Sequence, residues 1–320
     1  MRYDLADWDG AVAALKDADE VAVACHVNPD GDALGSLLAA SEGLRQLGKS
    51  TYPSWGISPV KAPFAYSFLP GIDTLVQPED VPETDVFLAL DCGSVDRLES
   101  LEAPAKGANC LINVDHHPGN DGFGTLNLVV TTASSTAEIV TYLLEDIGVD
   151  IDLPIATNLY TGIVTDTGRF QYSNSSPDTL RLAANLLEKG VSAPAIAMEV
   201  FDSSPFSYLK LLGRVLERAT LHEDDRFVYS WITQKDLAET GVALDETEKL
   251  IDLVRATRAA DVTAMFKEQD DGSWRVSLRS KGPNVGELAR SRGGGGHDLA
   301  AGFSSDGIDR TVADLIAELK

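Results

Sequence analysis

Four times along this chain, an apolar run of strand length ends directly at aspartate or histidine. The first run, "VAVA" at 21–24, leads into "CHVNPDGDALGS", in which Pro29 and Gly31 indicate a tight turn and a helix beginning near Ala33. Parallel strands of an open sheet present their carboxyl ends at one edge, which is where such sheets bind ligands. The polar residues at the four ends are His26, Asp30 and Asp32, then Asp91, then Asp115, His116 and His117, and finally Asp166.

Each of these stretches also has an ordinary structural explanation. Aspartate and asparagine ahead of a helix are common caps, and Pro-Asp-Gly is a common turn. A single strand that ends in aspartate therefore indicates little about function. Four strands that bring carboxylates and imidazoles to one edge of a sheet predict a metal site.

Composition restricts the size of the fold and the kind of partner. The chain has 320 residues and is 44% hydrophobic, which is enough for one large or two moderate cores. Its net charge of −24 disfavours binding of a long polyanion such as duplex DNA, so any nucleic-acid substrate is expected to be short. Solubility, or a salty cytoplasm, is the simpler explanation of the acidity.

The cysteines and the amino terminus predict the compartment. Cys25, Cys92 and Cys110 include no Cys-x-x-Cys pair, so the sequence has neither a disulfide framework nor a zinc-ribbon spacing. The first ten residues are acidic, and no apolar run reaches the ~18 residues of a membrane span. We therefore expect a soluble cytoplasmic protein with reduced cysteines and no membrane contact.

The order of apolar runs and helical patterns predicts an α/β fold in two parts. Residues 1–190 alternate strands with helices, as in a mostly parallel sheet with flanking helices. Ser135 and Glu138 have the spacing of a capping box at the start of one of these helices. Residues 191–205 are expected to be a linker. Residues 206–320 predict a smaller α/β substrate-binding domain with two hairpins, a short helix at "NVGELAR" and a final helix.

A run of four glycines followed by histidine is the main feature of the second part. Glycine destabilises packed elements, so such a run marks either a flexible hinge or a place where the backbone approaches something closely. Backbone N–H groups in such a turn can bind phosphate, and we favour this interpretation over a hinge. The candidate substrate-binding residues are Arg279, Lys281, Gly293, Gly294, Gly295, Gly296 and His297.

The motifs together resemble the DHH phosphoesterase superfamily. The resemblance rests on "HVNPDGDALGS", Asp91, "DHH" at 115–117 and "TDTGRF" around Asp166, in that order. The segment "SLRSKGPNVGELARSRGGGGHDLAAGF" resembles the substrate domain of the nanoRNase and pAp-phosphatase branch. Arg292 is a departure, because relatives often carry an aromatic residue just before the glycines.

This resemblance implies a site for two divalent metal ions. His26, Asp30 and Asp91 would hold one ion, and Asp91 would bridge to the second. The ligands of the second ion would be Asp32, Asp91, His116 and Asp166. Nitrogen and carboxylate ligands fit manganese, with cobalt or magnesium as alternatives.

The implied activity is that of a metal-dependent phosphodiesterase, an oligoribonuclease that hydrolyses short oligoribonucleotides and linear dinucleotides such as pApA to mononucleotides. Hydrolysis of pAp to AMP and of cyclic di-AMP would be further activities. Asp91, Asp115 and His117 would act in catalysis, with Asp115 orienting a neighbouring group and His117 facing the substrate phosphate. Arg279 and the glycine run would grip the rest of the substrate, and relatives imply a homodimer.

Two other functions stay open at this point. A manganese-dependent inorganic pyrophosphatase of the same superfamily has a similar ligand set, although its second domain carries a denser cluster of arginine and lysine. A nucleotide sensor that kept the cleft without the chemistry is the other alternative.

Overall fold

The chain folds into two compact units. The computed structural model describes residues 3–319, and the division between the units falls between Ser203 and Ser204. Each unit has a sheet of its own, five-stranded in the first and six-stranded in the second. The predicted α/β class and the parallel first sheet are confirmed. No helix within residues 3–319 is long and apolar enough to cross a membrane.

The first sheet aligns the ends of its strands. Its strands are β1 Glu20–Cys25, β2 Ser50–Ser54, β3 Val86–Leu90, β4 Cys110–Asp115 and β5 Leu126–Val129. All pairs are parallel, in the order β2-β1-β3-β4-β5. The register pairs Cys25 with Leu90 and Leu90 with Val114, so three neighbouring strands end side by side. The residues that follow these ends therefore lie at one edge of the sheet.

Helices and short helical turns surround this sheet. The α-helices are α1 Trp8–Asp17, α2 Gly31–Gln46, α3 Glu102–Gly107, α4 Thr136–Ile147, α5 Leu153–Asp166, α6 Pro177–Glu188 and α7 Ala193–Ala197. The 3-10 segments are Phe64–Tyr66, Ile72–Thr74, Pro78–Asp80 and Val95–Leu101. Helix α2 begins at Gly31, two residues before the predicted Ala33, with Asp30 as its N-cap.

Glycines let α2, α4 and α5 approach one another closely. A Cβ at Gly35 of α2 would lie 2.4 Å from the carbonyl oxygen of Asn158 on α5. A Cβ at Gly162 of α5 would lie 2.6 Å from Cβ of Ala137 on α4 and 2.9 Å from Oδ1 of Asp32 on α2. Side chains at these positions would push the helices apart. Close packing therefore brings Asp32 to the start of α4.

The prediction that Asp166 follows a strand is wrong, because Asp166 is the last residue of helix α5. Asp152 caps this helix by accepting a hydrogen bond from the Ile155 amide at 3.1 Å. Ile155, Leu159 and Ile163 recur every four residues and are fully buried. Over a short window, the β-branched segment "LYTGIVT" resembles a strand. The helical period is evident only when the pattern is extended back to the cap at Asp152.

The predicted capping box at the start of α4 is half right. Ser135 accepts from the Glu138 amide at 3.1 Å, as predicted. The Glu138 carboxylate does not return to the Ser135 amide. It accepts instead from the amide and hydroxyl of Ser134, at 3.1 and 2.7 Å.

Most of the predicted linker belongs to the first unit. After α7, residues Met198–Asp202 form one turn of π-helix. Val191, Ile196 and Val200 are buried in the core of the first unit. Residues 191–202 are therefore folded against that core, and we place the domain boundary after Ser203.

The second unit is a mixed sheet. Its strands are β6 Thr220–His222, β7 Phe227–Ile232, β8 Val262–Glu268, β9 Trp274–Ser280, β10 Gly295–Gly296 and β11 Ala300–Ser305. Its helices are α8 Phe206–Glu217, α9 Gln234–Thr240, α10 Leu250–Arg255, α11 Val285–Arg290 and α12 Ile308–Glu318, with a 3-10 turn at Leu244–Thr247. The strand order is β10-β11-β9-β8-β7-β6, and β7-β8 is the parallel pair.

Several predicted elements of the second unit are confirmed. Strands β6 and β7 form one hairpin, and β8 and β9 form the other, with Gly272 at φ +82° in its turn. The helix at "NVGELAR" is α11. Strands β10 and β11 were absent from the sequence prediction, because glycine and alanine carry almost no strand signal.

Asp236 stabilises the second unit through a buried carboxylate. It accepts from Arg218 at 2.5 and 3.0 Å and from the amide and hydroxyl of Thr233 at 2.9 and 2.8 Å. Burial raises the pKa of Asp236, but the hydrogen bonds from Arg218 and Thr233 outweigh it and hold the pKa well below its usual range. The ionised form is therefore the one that stabilises the fold.

We expect Asp236→Asn to lower the free energy of unfolding at pH 7 by about 2 kcal/mol, since it removes an ion pair and half of a capping box. A carboxyl with a lowered pKa stabilises the fold above its unfolded pKa of about 4 and loses this effect as the pH falls. The difference from wild type should therefore shrink below about pH 4.

Urea unfolding of the full chain, with amide protection followed in residues 218–240, measures this difference. Asp261→Asn is the matched control, because Asp261 pairs with Arg226 at the surface. A difference that stays constant from pH 6 to pH 3 would contradict the assigned role.

Candidate metal centre

Both strand ends and helix ends contribute to the candidate metal centre. His26 follows β1, Asp91 follows β3, and His116 follows β4. Asp91 has a φ of +58°, a left-handed conformation that is costly for a residue with a side chain and is typical of functional sites. The remaining candidates come from helices: Asp30 and Asp32 from the start of α2, and Asp166 from the end of α5.

The six predicted ligands fall into two groups of three. His26, Asp30 and Asp91 offer ligand atoms that all lie within 4.8 Å of one another. The same holds for Asp32, His116 and Asp166. All six predicted metal ligands are therefore brought together, although Asp166 arrives from a helix.

Asp91 belongs to the first group and also lies close to the second. Its Oδ2 is 3.4 Å from Nε2 of His26, and its Oδ1 is 3.8 Å from Nε2 of His116. Nε2 of His116 is in turn 3.9 Å from Asp32 Oδ2 and 3.6 Å from Asp166 Oδ2. One oxygen of Asp91 thus faces each group, as a bridging carboxylate requires.

The hydrogen bonds of His26 and Asp30 leave ligand atoms available. Nδ1 of His26 lies 2.9 Å from the Val27 carbonyl oxygen, so Nδ1 donates to this carbonyl and Nε2 is the ring nitrogen that faces the site. Oδ1 of Asp30 accepts from the amides of Asp32 and Ala33 at 3.0 Å. This cap fixes Asp30 at the start of α2 through one carboxylate oxygen.

The carboxylates crowd one another in a buried space. Burial, followed by the charge of Asp91, raises the pKa of Asp32 well above its usual range. Burial and the charges of Asp30 and Asp91 raise the pKa of Asp166 in the same way. Burial alone would raise the pKa of Asp91, but the hydrogen bond from His26 and the charges of the nearby histidines outweigh it. The pKa of Asp91 is therefore below its usual range.

This crowding fits a divalent cation. Among residues 3–319, the cationic groups within 4 Å of Asp32, Asp91 or Asp166 are histidines, with no lysine or arginine. Burial lowers the pKa of His116, which keeps its imidazole neutral and able to bind a metal. Buried carboxylates without a basic partner are costly unless a metal neutralises them.

His117 and Asp115 form a pair next to the ligands, and Nδ1 of His117 is also 3.6 Å from Oδ1 of Asp91. Nδ1 of His117 lies 2.6 Å from Oδ1 of Asp115, whose Oδ2 accepts from Asn120 at 2.7 Å. Burial lowers the pKa of His117, but the Asp115 hydrogen bond and the charge of Asp91 outweigh it and raise the pKa to about 9. His117 is about one-third exposed, so its imidazolium can face a ligand while Asp115 orients it.

Three supporting residues were missed by the sequence interpretation. Asn120 donates to Asp115, and Asn174 donates to Asp166 Oδ2 at 3.3 Å and to the Ser134 carbonyl at 2.8 Å. Thr136 contacts two of the predicted ligands through hydrogen bonds. Both asparagines lie in ordinary turn sequences, and Thr136 was hidden within a capping signal.

The glycine run in the second unit has a packing role. A Cβ at Gly294 would lie 2.1 Å from the Gly302 carbonyl oxygen, and one at Gly296 would lie 2.5 Å from the Ala301 Cα. The close approach predicted from these glycines is therefore an approach to strand β11. The amides of Gly293, Gly294 and His297 donate to carbonyl groups of the same unit. These three amides are therefore already engaged and are not free donors for a phosphate. Gly295 pairs with Gly302 in the β10-β11 ladder.

The basic side chains near this run differ in their surroundings. Nζ of Lys281 donates to the carbonyls of Thr257 and Ala260, so it stabilises the loop that carries them. Arg279 lies on β9, where its Nε is 3.8 Å from Asp252 and its side chain is partly exposed. Arg292 pairs with Glu318 at 2.7 Å and lies over the Phe303 ring.

Comparison with known protein families agrees with this centre. The sequence matches the DHH family, N-terminal domain, over residues 20–163 and the DHHA1 domain over residues 224–320. The chain belongs to the DHH family of phosphoesterases, which are hydrolytic, divalent-metal-dependent enzymes. The donors clustered at the sheet edge fit that metal dependence.

The similar curated proteins carry a more specific name. The chain is 35% identical to the "Bifunctional oligoribonuclease and PAP phosphatase NrnA" of Thermus thermophilus, covering 90% of this chain and 84% of the relative. It is 32% identical to the protein of the same name in Bacillus subtilis, covering 93% of this chain and 94% of the relative. These alignments include both units.

Solved structures share the fold. An exopolyphosphatase-related protein from Bacteroides fragilis superposes with a TM-score of 0.90 at 24% identity, covering 100% of this chain and 97% of that one. RecJ of Thermus thermophilus in complex with Mn²⁺ gives a TM-score of 0.61 at 16% identity, covering 100% of this chain and 55% of that one.

We expect Mn²⁺ at about 100 times its dissociation constant to raise the melting temperature of the metal-free protein by about 5–10 °C, because a ligand that binds only the folded state stabilises it. Asp91→Ala should abolish most of this shift, since Asp91 faces both ligand groups. Differential scanning calorimetry measures the effect, with Asp178→Ala, an exposed residue of α6, as the control. An equal shift in Asp91→Ala would show that manganese binds elsewhere.

Proposed function

We propose that this protein is a dinuclear, manganese-dependent phosphodiesterase that hydrolyses short oligoribonucleotides and linear dinucleotides such as pApA to mononucleotides. We include hydrolysis of pAp to AMP and of cyclic di-AMP as further activities. The observation that carries the proposal is that Asp91 faces both ligand groups, with one oxygen 3.4 Å from His26 and the other 3.8 Å from His116. Curated relatives at 32–35% identity, named bifunctional oligoribonuclease and PAP phosphatase, support the choice of substrate.

The six ligands have a composition suited to this chemistry. His26, Asp30 and Asp91 would hold one ion. The second ion would be held by Asp32, Asp91, His116 and Asp166. Two divalent ions in such a site activate water for attack on phosphorus and stabilise the charge of the phosphoryl oxygens.

His117 would contact the substrate phosphate directly. Its imidazolium is held by Asp115, so the proton on its other nitrogen can be donated to a phosphoryl oxygen. Charge that develops on this oxygen in the transition state would be stabilised by an oriented cation within a partly buried site. Asp115 would position His117 without touching the substrate.

The second unit would contact the remainder of the substrate. Arg279 is the side chain that best fits this role, because it is partly exposed and its nearest carboxylate is 3.8 Å away. His297 and the adjacent glycines complete the proposed surface. The acidity of the chain favours a short substrate over a long polyanion. A homodimer and a cytoplasmic location remain predictions from the sequence.

We expect the purified protein with Mn²⁺ to release AMP from pApA and from a short oligoribonucleotide. Chromatographic separation of the products, with pAp, cyclic di-AMP and pyrophosphate tested in parallel, measures this. Chelation and Asp91→Ala should each abolish the release. Cleavage of pyrophosphate alone would identify a pyrophosphatase instead. Tight binding of these compounds without turnover would indicate a nucleotide sensor.

We expect His117→Ala to lower kcat for pApA by about 100-fold, because one oriented donor contributes about 3 kcal/mol to the transition state. Asp115→Asn should have a smaller effect, of about 10-fold, since it loosens His117 without removing it. Steady-state kinetics at saturating Mn²⁺ measures both variants. Wild-type kcat in His117→Ala would exclude the assigned role.

A further inference from the structure

The start of helix α4 holds the carboxylate of Asp32 with backbone amides. Oδ2 of Asp32 accepts from the Thr136 amide at 2.7 Å, and Oδ1 accepts from the Ala137 amide at 2.9 Å. The hydroxyl of Ser36 lies 3.3 Å from Oδ1. Both oxygens of this fully buried carboxylate are thereby oriented by the positive end of a helix.

The same residue also holds the carboxylate of Asp91. The hydroxyl of Thr136 donates to Asp91 Oδ1 at 2.9 Å. With Oδ1 fixed in this way, Oδ2 of Asp91 faces His26 at 3.4 Å. The hydroxyl therefore determines which carboxylate oxygen faces each group of ligands.

Further hydrogen bonds hold the segment around Thr136 in place. It is fully buried, and the preceding Ser135 caps the helix. Glu138 accepts from the amide and hydroxyl of Ser134, from the Thr179 hydroxyl at 3.1 Å and from the Tyr3 hydroxyl at 2.8 Å. These bonds fix the segment before α4 to two other parts of the first unit. The Thr136 amide and hydroxyl are consequently held in fixed positions.

Thr136 thus contacts a ligand assigned to one ion and the ligand shared by both. Its amide fixes Asp32, and its hydroxyl fixes Asp91. Ligands that are held in place before a metal binds give tighter and more specific sites than ligands that must be ordered on binding. A single residue that orients both carboxylates also fixes the distance between the two groups.

We propose that Thr136 is a positioning residue that sets the spacing of the two metal sites by holding Asp32 and Asp91 at once. The inference rests on the proposed dinuclear function and deepens it. In this role Thr136 is not itself a metal ligand. It acts through Asp91, whose bridging orientation depends on its hydroxyl.

The test compares Thr136→Val with Thr136→Ser and Thr141→Val. Valine keeps the shape and the amide of Thr136 but removes the hydroxyl, whereas serine keeps the hydroxyl. Thr141 is the matched control, because it is buried on the same helix and its hydroxyl donates only to the Ala137 carbonyl, at 2.7 Å. If Thr136→Val does not fold, Thr136→Ala replaces it.

Calorimetric titration of the metal-free proteins with Mn²⁺ alone measures affinity and stoichiometry, and electron paramagnetic resonance reports whether the bound ions are coupled. We expect Thr136→Val to bind at least one Mn²⁺ about 10- to 100-fold more weakly, as is typical of lost partners of metal ligands, and to lose the coupled signal. Thr136→Ser and Thr141→Val should remain close to wild type.

Two results would overturn the role of Thr136: wild-type affinity and coupling in Thr136→Val, or an equal loss in Thr141→Val. Failure of the proposed function would look different. Wild-type protein that binds two coupled ions but releases no AMP from pApA would contradict the activity, while the comparison of affinities would still decide the role of Thr136.

Discussion

The first unit is organised around buried carboxylates that neither lysine nor arginine neutralises within the described residues. Like charges at this spacing oppose folding, since each carboxylate loses water and faces another negative charge. The fold offsets part of this cost with backbone amides at the starts of α2 and α4 and with histidines from the strand ends. A divalent cation would offset the remainder. The same cost that disfavours the metal-free state therefore favours metal binding.

The centre also depends on how closely three helices can pack. Gly35 and Gly162 allow α2, α4 and α5 to approach, which places Asp32 against the α4 amides. Parallel strands in register supply the other ligands, because β1, β3 and β4 end side by side. A helix start, a helix end and three strand ends thus converge on one point. This is a strict requirement on the backbone, and the left-handed conformation of Asp91 is one of its costs.

Much of this arrangement can be read from the sequence, because ligands that follow strands lie next to a strong apolar signal. His26, Asp91 and His116 are of this kind, and the parallel sheet makes their meeting predictable. Asp166 was predicted as a ligand for the wrong structural reason, since a β-branched helix resembles a strand over a short window. Thr136 could not be recognised, because its role depends on a contact with Asp91, 45 residues away. Local patterns do not encode such long-range hydrogen bonds.

The glycine run shows a different limit of the sequence. Four glycines correctly indicated a close approach, but the partner is strand β11 of the same unit, and this could not be seen without the sheet topology. The two backbone carbonyls to which Lys281 donates likewise cannot be identified from the sequence. Charge and glycine content therefore identify candidate residues in the second unit, whereas only the fold shows which groups are already engaged.

The most direct test of the dinuclear centre is anomalous X-ray diffraction from crystals of the protein grown with Mn²⁺. We expect two peaks about 3.5–4 Å apart, the spacing typical of two-metal sites, with Asp91 between them. One peak should contact His26, and the other should contact His116. A single peak, or two peaks that do not share Asp91, would contradict the bridging role on which the proposed chemistry depends.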